Sequence, residues 1–382
     1  MYRIRLGKTR VALNLIDAFT TKNPQAQCLI VVPTQILKNQ WIEQIDERGL
    51  GLNTRVEIIN TVIKYDWSCD LLIIDEVHLA AAEQMVRVFE RVHYTFILGL
   101  TGTMERLDMR HLLLEKHAPV CDRITIEEAE RNGWVAPHKE YVVMLDVDLT
   151  EYKELNKKFN NAFAFFGFDF NSAMACATNI KTRIKWAKDN KQDMKTVTAM
   201  AMTFMRTMKA RKDFVMNHPK KIEIAKKILA ARQDRKCLTF SATIKMAESI
   251  GLGYTMHSKK KTKENQKIIE EFNAAKTGVM NTSKAADQGL DLEGINLEVI
   301  LHTDSSKIRK TQRLGRGIRF EPGKITEIFT LVIKGTQEVN WFSNSKTSKV
   351  ITITEEQLNK VLAGESIETR EREYTENLDL RF

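Results

Sequence analysis

The feature that most constrains the fold of this chain is the apolar run Leu71-Leu72-Ile73-Ile74, which ends at once in two carboxylates, Asp75 and Glu76. A strand that is apolar on both faces is typical of a parallel sheet covered by helices on each side. Ligands of such open sheets bind at the carboxyl ends of the strands. The two acids therefore stand where a metal–phosphate group would bind, and a plain acidic turn accounts less well for them.

Short apolar runs alternate with helical patterns over two stretches of the chain, which indicates two α/β units. With 382 residues, the chain is long enough to bury two cores. The predicted strands are Cys28–Val32, Leu71–Ile74, Thr95–Leu100, Cys237–Ser241, Gly278–Thr282, Val299–His302 and Ile328–Ile333, and the predicted helices include Ile222–Ala231 and Glu355–Leu362.

Residues 145–217 differ in composition from both units. They contain almost no Gly or Pro and mix Phe, Met and Ala with Lys at helical spacing. A packed helical core is favoured there over a surface for stacked bases. We predict an α/β fold in which two parallel-sheet lobes, residues 1–144 and 218–345, are joined by this helical, basic segment and followed by a tail, 346–382.

The charge of the chain suits a nucleic-acid partner. The formal net charge is +10, and residues 151–220 hold 14 Lys and Arg against 6 Asp and Glu. Cations that neutralise phosphates supply most non-specific affinity for nucleic acid. A solvated helical face accounts for the same residues equally well.

The remaining composition excludes several classes of protein. No apolar run approaches the ~20 residues of a membrane span, and the first residues do not form a signal peptide, so we predict a cytoplasmic protein without a membrane partner. The cysteines lack zinc spacing and are predicted to be reduced, structural thiols. They are Cys28, Cys69, Cys121, Cys176 and Cys237.

Gly7-Lys8-Thr9, followed by an apolar helical pattern, is typical of the end of a phosphate loop. Glycine allows close approach of the backbone, lysine reaches the β- and γ-phosphates, and the hydroxyl of threonine holds Mg²⁺. A lone tripeptide of this kind is more often a surface turn. The full pattern also requires a glycine where this chain has Tyr2, and the strand that feeds the loop would lie before Met1, so the loop is predicted to be truncated.

A third segment, Gln312–Arg319, carries two arginines three residues apart, Arg316 and Arg319. On a helix these two side chains point the same way. Guanidinium groups so placed stabilise charge on a transferring γ-phosphoryl group. A basic exposed face explains them equally well.

Taken in order, these segments resemble the motifs of the superfamily-2 helicases over nearly the whole chain. The segments that resemble motifs I to VI are Gly7–Thr9, Val32–Thr34 with Gln40-Trp41, Asn60-Thr61, Asp75–His78 (the DExH box), Thr101–Thr103, Phe240-Ser241, Asn281-Thr282 with Gly289–Asp291, and Gln312–Arg319. Glu128–Trp134 and Leu149–Glu151 are similar to the DNA-repair and phage branch, which would imply a bacterial host cytoplasm if the chain is phage-encoded.

The resemblance implies two RecA-like lobes that hydrolyse ATP between them with Mg²⁺ and act on nucleic acid, DNA more than RNA. The implied catalytic residues are Glu76, Gln312, Arg316 and Arg319. Those implied to bind nucleotide are Gly7, Lys8, Thr9, Asp75, Gly289 and Asp291, with Thr9 and Asp75 on Mg²⁺. Those implied to couple the sites are His78, Thr101 and Thr103, and those implied to contact nucleic acid are Pro33, Thr34, Thr61 and Thr282.

Two other functions remain open at this point. The truncated loop is compatible with a nucleic-acid-binding protein that keeps the helicase fold without hydrolysing ATP. A P-loop kinase or another small-molecule phosphotransferase is disfavoured by the arginine segment of the second lobe and by Thr101-Gly102-Thr103.

Overall fold

A computed structural model describes residues 7–77, 82–102, 115–283, 292–303, 317, 321–344 and 350–367. The chain divides into two compact units. The first consists of Met1–His138 with Ala285–Asn296 and Ser306–Thr326, and the second of Lys139–Lys284 with Leu297–Ser305 and Glu327–Phe382. Each unit is built on a sheet of parallel strands with flanking helices, which confirms the predicted α/β fold.

The first unit holds a four-stranded sheet in the order β2-β1-β3-β4, and all three pairings are parallel. Its central strands are apolar on both faces because helices pack on each side. Its elements are α1 (Lys8–Lys22), β1 (Cys28–Val32), α2 (Gln35–Glu47), β2 (Thr54–Ile58), α3 (Ile59–Val62), β3 (Trp67–Asp75), α4 (Ala82–Arg91), β4 (Val92–Leu100) and α5 (Ile126–Arg131).

The core on one face of this sheet explains how α1 and α2 are placed. Leu13 and Ile16 of α1 pack with Ile30 of β1, Ile73 of β3 and the almost fully buried Trp41 of α2. Apolar residues three and four positions apart form one buried stripe on each helix. The two helices are thus fixed against the strands that carry the predicted site residues.

The second unit holds a seven-stranded sheet in the order β11-β5-β10-β9-β6-β8-β7. Its elements are β5 (His138–Leu145), α6 (Thr150–Phe165), α7 (Phe170–Thr178), α8 (Ile180–Asp189), α9 (Met194–Asn217), α10 (Pro219–Ala231), β6 (Lys236–Ser241), α11 (Ile244–Ser249), β7 (Tyr254–Met256), α12 (Thr262–Ala274), β8 (Gly278–Ser283), β9 (Leu297–Ile300), β10 (Thr326–Ile333), α13 (Gln337–Asn344), β11 (Val350–Thr354) and α14 (Glu355–Leu362).

The predicted strands are all present, with shifts of a few residues at their ends. Cys28–Val32 is found as predicted, and so is the helix Glu355–Leu362. The largest shift of one end is in β3, which begins at Trp67 where Leu71 was expected. β9 is displaced at both ends and covers Leu297–Ile300 where Val299–His302 was expected. Leu301 and His302 are as buried as the strand itself, so apolar character alone did not mark its end.

The helical segment, α6 to α9, has its own aromatic core. Phe159 stacks on Phe204 with ring centroids 5.2 Å apart, and the guanidinium of Arg211 lies 4.1 Å from the centroid of the Phe159 ring. Tyr152 at the start of α6 accepts a hydrogen bond from the backbone N–H of Gln337, 2.9 Å away. The segment is therefore continuous with the core of the second unit.

Two segments pair in a sheet other than the one their place in the sequence suggested. β5 falls within residues 1–144, assigned above to the first lobe, yet it pairs with β11 of the second sheet. β11 and α14 lie in the predicted tail, yet Ile353 and Leu358 are buried in the core of the second unit. The sequence of an apolar strand does not show which sheet it joins, because its pairing partners lie far away in the chain.

The described part of the chain contains no helix that is long and apolar enough to span a bilayer. The five cysteines are free thiols, and four of them are buried. Burial is the main reason why the pKa of Cys28 rises to about 11 and that of Cys69 to about 12. Both stay protonated at neutral pH, as expected of structural thiols.

Candidate functional site

The first turn of α1 forms one wall of the candidate site. Gly7 precedes the helix with a left-handed backbone, φ 82°, a conformation that glycine adopts without strain. No side chain of the described residues caps this helix end, and its first turn contains no acid. The backbone amide groups of this first turn and the positive end of the helix dipole thus favour an anion.

Lys8 and Glu76, 68 positions apart in the chain, meet at the site. The Nζ atom of Lys8 lies 2.8 Å from Oε1 of Glu76, and the two side chains are 10% and 21% exposed. Thr9 follows on α1 and is half-buried. The loop end and the acid after β3, identified separately in the sequence, therefore belong to one site.

Asp75 is the buried acid of the site, with 8% of its surface exposed. Its Oδ2 accepts a hydrogen bond from the indole N–H of Trp41 and its Oδ1 accepts one from the backbone N–H of Glu76, each 2.9 Å long. Burial and the neighbouring Glu76 raise the pKa of Asp75, against the opposing effects of Lys8 and the two hydrogen bonds. A buried carboxylate at the end of a strand offers the kind of oxygen ligand that Mg²⁺ takes.

Glu76 has a backbone conformation that few residues with a side chain adopt. Its φ is 47°, in the left-handed region, which costs roughly 1–2 kcal/mol for an L-residue. Such strain is concentrated at functional sites. The turn directs the Glu76 side chain to Lys8 while Val77, the next residue, is buried.

Thr101, predicted to couple the two sites, directly follows β4 and is 3% exposed. With Val77 and Gly99 it lines a cavity of about 200 Å³ beside residues 118–122. β3 and β4 are parallel neighbours, with Asp75 opposite Leu100. Thr101 therefore ends up at the same edge of the sheet as the acids.

Three of the predicted nucleic-acid contacts lie at this edge too. Pro33 and Thr34 follow β1, and both are half-buried. The Thr34 side chain caps α2 by accepting a hydrogen bond from the N–H of Leu37 at 3.3 Å. Thr61 follows β2 in α3 and is partly exposed.

Thr282 is placed differently from these three residues. It is fully buried in β8, and its hydroxyl donates a 2.7 Å hydrogen bond to the carbonyl of Thr239 in β6. A hydroxyl that bonds inside a sheet does not reach a sugar–phosphate backbone, so this placement does not support the predicted contact. From the sequence alone, a Thr at the end of an apolar strand is compatible with a hydrogen bond inside the sheet and with a nucleic-acid contact.

Seven predicted site residues lie outside the described residues. They are His78, Thr103, Gly289, Asp291, Gln312, Arg316 and Arg319. Conversely, the structure adds Trp41, which the sequence placed in a motif without a role. The feature of the sequence that could have identified Trp41 is its indole N–H, which needs a hydrogen-bond acceptor once the ring is buried.

Two family models match the chain, and together they cover more than half of it. The model described as the res subunit of type III restriction enzymes matches residues 6–67 and 64–106, and the helicase conserved C-terminal domain matches residues 220–321. The first match contains every described residue of the candidate site, and the second contains the arginine segment.

Individual relatives point in the same direction. The DNA 3'-5' translocase XPB2 of Sulfurisphaera tokodaii is 26% identical over 357 residues, which are 87% of this chain and 76% of that protein. A helicase-like protein of Sulfolobus islandicus filamentous virus is 24% identical over 67% of this chain, which spans only 41% of that relative's length. This viral relative agrees with the phage side of the resemblance.

Among solved structures, the helicase domain of Pyrococcus furiosus Hef superposes with a TM-score of 0.54 at 16% identity, covering 91% of this chain and 94% of that one. At this identity the likeness concerns the fold alone.

Proposed function

The chain belongs to the superfamily-2 helicases, and on that premise we propose that it is a DNA translocase driven by ATP hydrolysis at the Lys8–Glu76 site. The observation that carries the proposal is the 2.8 Å contact of Lys8 with Glu76 beside the buried Asp75. This arrangement supports the proposal because it brings together a candidate phosphate-binding cation, a candidate base and a candidate metal ligand.

The backbone amide groups in the first turn of α1 and the ammonium group of Lys8 would bind the phosphates. Thr9 and Asp75 would hold Mg²⁺, which neutralises phosphate charge when bound. The buried carboxylate of Asp75, with its raised pKa, fits that ion.

The contact of Lys8 with Glu76 also bears on the order of events. A bound phosphate would share the N–H donors of Lys8 with Oε1 of Glu76. As the phosphate draws Lys8 towards it, Oε1 of Glu76 would become better placed to accept a proton from the attacking water.

Three observations support DNA as the partner: the residues at the sheet edge of the first unit, the net charge of the chain and the name of one relative. Pro33, Thr34 and Thr61 offer short polar groups and backbone at the ends of β1 and β2, which suits contacts with phosphate and sugar rather than with base edges. The net charge of +10 favours a polyanion. The translocase of Sulfurisphaera tokodaii is named for DNA.

The test is ATP hydrolysis with and without single-stranded DNA for the wild type, Lys8→Ala and Glu76→Gln. We expect DNA to stimulate the wild type, and each variant to lose about 100-fold or more, the usual contribution of a general base or a phosphate-binding cation. Equal rates in all samples would contradict the proposal. Single-stranded RNA of the same sequence tests the preference for DNA.

The non-hydrolysing alternative makes an opposite prediction. It is favoured if the wild type binds DNA with measurable affinity and turns over no ATP under any of these conditions.

A further inference from the structure

We propose that Trp41 is a positioning residue that couples nucleic-acid contact at the start of α2 to the carboxylate of Asp75. The inference rests on the proposed function and extends it, because it names the element through which DNA would regulate the nucleotide site.

Helix α2 joins the two places directly. Its N-cap residue is Thr34, a predicted nucleic-acid contact, whose side chain accepts a hydrogen bond from the N–H of Leu37. Seven residues later Trp41 is 2% exposed and donates its indole N–H to Oδ2 of Asp75 at 2.9 Å. Seven residues of α-helix span about 10 Å, so a displacement of the helix start reaches the acid through one rigid element.

The hydrogen bond from Trp41 to Asp75 differs from the bond that a buried indole usually makes. Trp67, in the same unit, donates its indole N–H to a backbone carbonyl, that of Val62, at 3.2 Å. Trp41 has instead a carboxylate as its acceptor, from a residue 34 positions away. Packing alone would be satisfied by any large apolar side chain among Leu13, Ile16 and Ile73.

The second donor to Asp75 shows what Trp41 controls. Oδ1 accepts from the N–H of the next residue, Glu76, and Oδ2 accepts from Trp41. One oxygen is thus held by the local turn and the other by α2, and together they fix the plane of the carboxylate. Movement of α2 would rotate that plane and change the direction in which the acid faces a bound cation.

A second contact extends the link to Thr61. Lys38 of α2 lies 2.8 Å from Oε2 of Glu57 in β2, and β2 leads directly into α3, which contains Thr61. Thr34 and Thr61 are therefore both linked to the helix that carries Trp41.

The test compares Trp41→Phe with the matched control Trp67→Phe, since each removes one indole N–H and keeps an aromatic ring. Equilibrium affinity for a non-hydrolysable ATP analogue with Mg²⁺ is measured with and without saturating oligo-dT. We expect DNA to tighten nucleotide binding about 5-fold or more in the wild type and in Trp67→Phe. In Trp41→Phe this factor should fall towards one, while affinity for oligo-dT without nucleotide stays within about twofold of the wild type.

Retention of the coupling factor in Trp41→Phe would overturn the inference, and so would an equal loss in both variants, which indicates general destabilisation. If Trp41→Phe does not fold, β-(3-benzothienyl)alanine at position 41 keeps the ring shape and removes only the N–H, and the same two outcomes apply. A wild type that binds neither DNA nor nucleotide contradicts the proposed function itself, whereas a wild type and a Trp41→Phe variant with equal coupling contradict this inference alone.

Discussion

Each unit contains a contact between a lysine and a glutamate, and the two contacts differ in almost everything else. In the first unit, Lys8 and Glu76 are 10% and 21% exposed. In the second, Lys221 of α10 and Glu338 of α13 are both fully buried, with Nζ and Oε1 2.5 Å apart. Glu338 also accepts from the backbone N–H of Ile333 at 3.0 Å and from the hydroxyl of Thr303 at 3.4 Å.

The comparison separates a permanent ion pair from one that can exchange. Burial lowers the pKa of Lys221, and Glu338 opposes that effect; each partner therefore depends on the other in a place that water does not reach. Lys8 has solvent and, by our proposal, a phosphate as alternative partners. The same two residue types thus form a structural element in one unit and a switchable contact in the other.

The largest effect on stability is expected from Lys221→Met, which leaves Glu338 buried without its cation. Loss of one partner of a buried pair costs about 3–5 kcal/mol. Urea unfolding, followed by circular dichroism, measures the change. The double variant Lys221→Met/Glu338→Gln removes the orphaned charge and should recover a large part of the loss; a single variant as stable as the wild type would remove the distinction between the two contacts.

An intermediate effect is expected at Glu57, whose carboxylate receives Lys38 at 2.8 Å and Arg55 at 3.1 Å. Burial alone would raise the pKa of Glu57, but the hydrogen bonds and charges of Lys38 and Arg55 outweigh it and hold the pKa below its usual value. Glu57→Gln should lower the free energy of unfolding at pH 7 by roughly 1–2 kcal/mol.

The pH dependence of that difference tests its electrostatic origin. A lowered folded-state pKa contributes stability above the unfolded-state pKa of about 4.3, and the contribution disappears as pH falls through the folded-state value. The difference in stability between the wild type and Glu57→Gln should therefore shrink steadily as pH falls below about 4.3. A difference that is the same at pH 7 and at pH 3 would indicate lost packing instead.

The smallest effect on stability is expected from Lys8→Met, which removes the switchable contact between Lys8 and Glu76. A partly exposed pair contributes about 1 kcal/mol or less, so its unfolding curve should nearly coincide with that of the wild type. Affinity for the ATP analogue should nevertheless fall by at least about tenfold, equivalent to 1.4 kcal/mol. A loss of stability comparable to that of Lys221→Met would mean that both contacts are structural.

The sequence was most informative where a local pattern decides the outcome. The all-apolar run Leu71–Ile74 predicted a central parallel strand with acids at its end, and β3 and Asp75 are found so. Lys8 and Glu76 could be named as site residues because glycine, lysine and carboxylate each have a chemical reason to stand there. That they contact each other depends on the packing of α1 against β1 and β3, which no local pattern records.

The remaining features depend on partners far away in the chain. Trp41 reads as one apolar position of an amphipathic helix, and only the position of Asp75 gives its N–H a role. Thr282 lies in a strand pattern that fits an exposed or a buried hydroxyl equally well. Its hydroxyl is buried because it bonds to Thr239 of the neighbouring strand β6. The strand β5 carries no local sign that its partner is β11, about 200 residues later.

That last pairing has a consequence for synthesis on the ribosome. β5 lies between β10 and β11, so both of its neighbours emerge long after it, since β5 ends at Leu145 and β10 begins only at Thr326. Until then Val142 and Val143, which are almost completely covered in the finished unit, have no sheet to join. Nascent chains with uncovered apolar strands are prone to aggregate and to need chaperones. The yield of folded protein should therefore depend on how quickly the chain between β5 and β11 is translated, and slow codons in that stretch should lower it more than slow codons before β5.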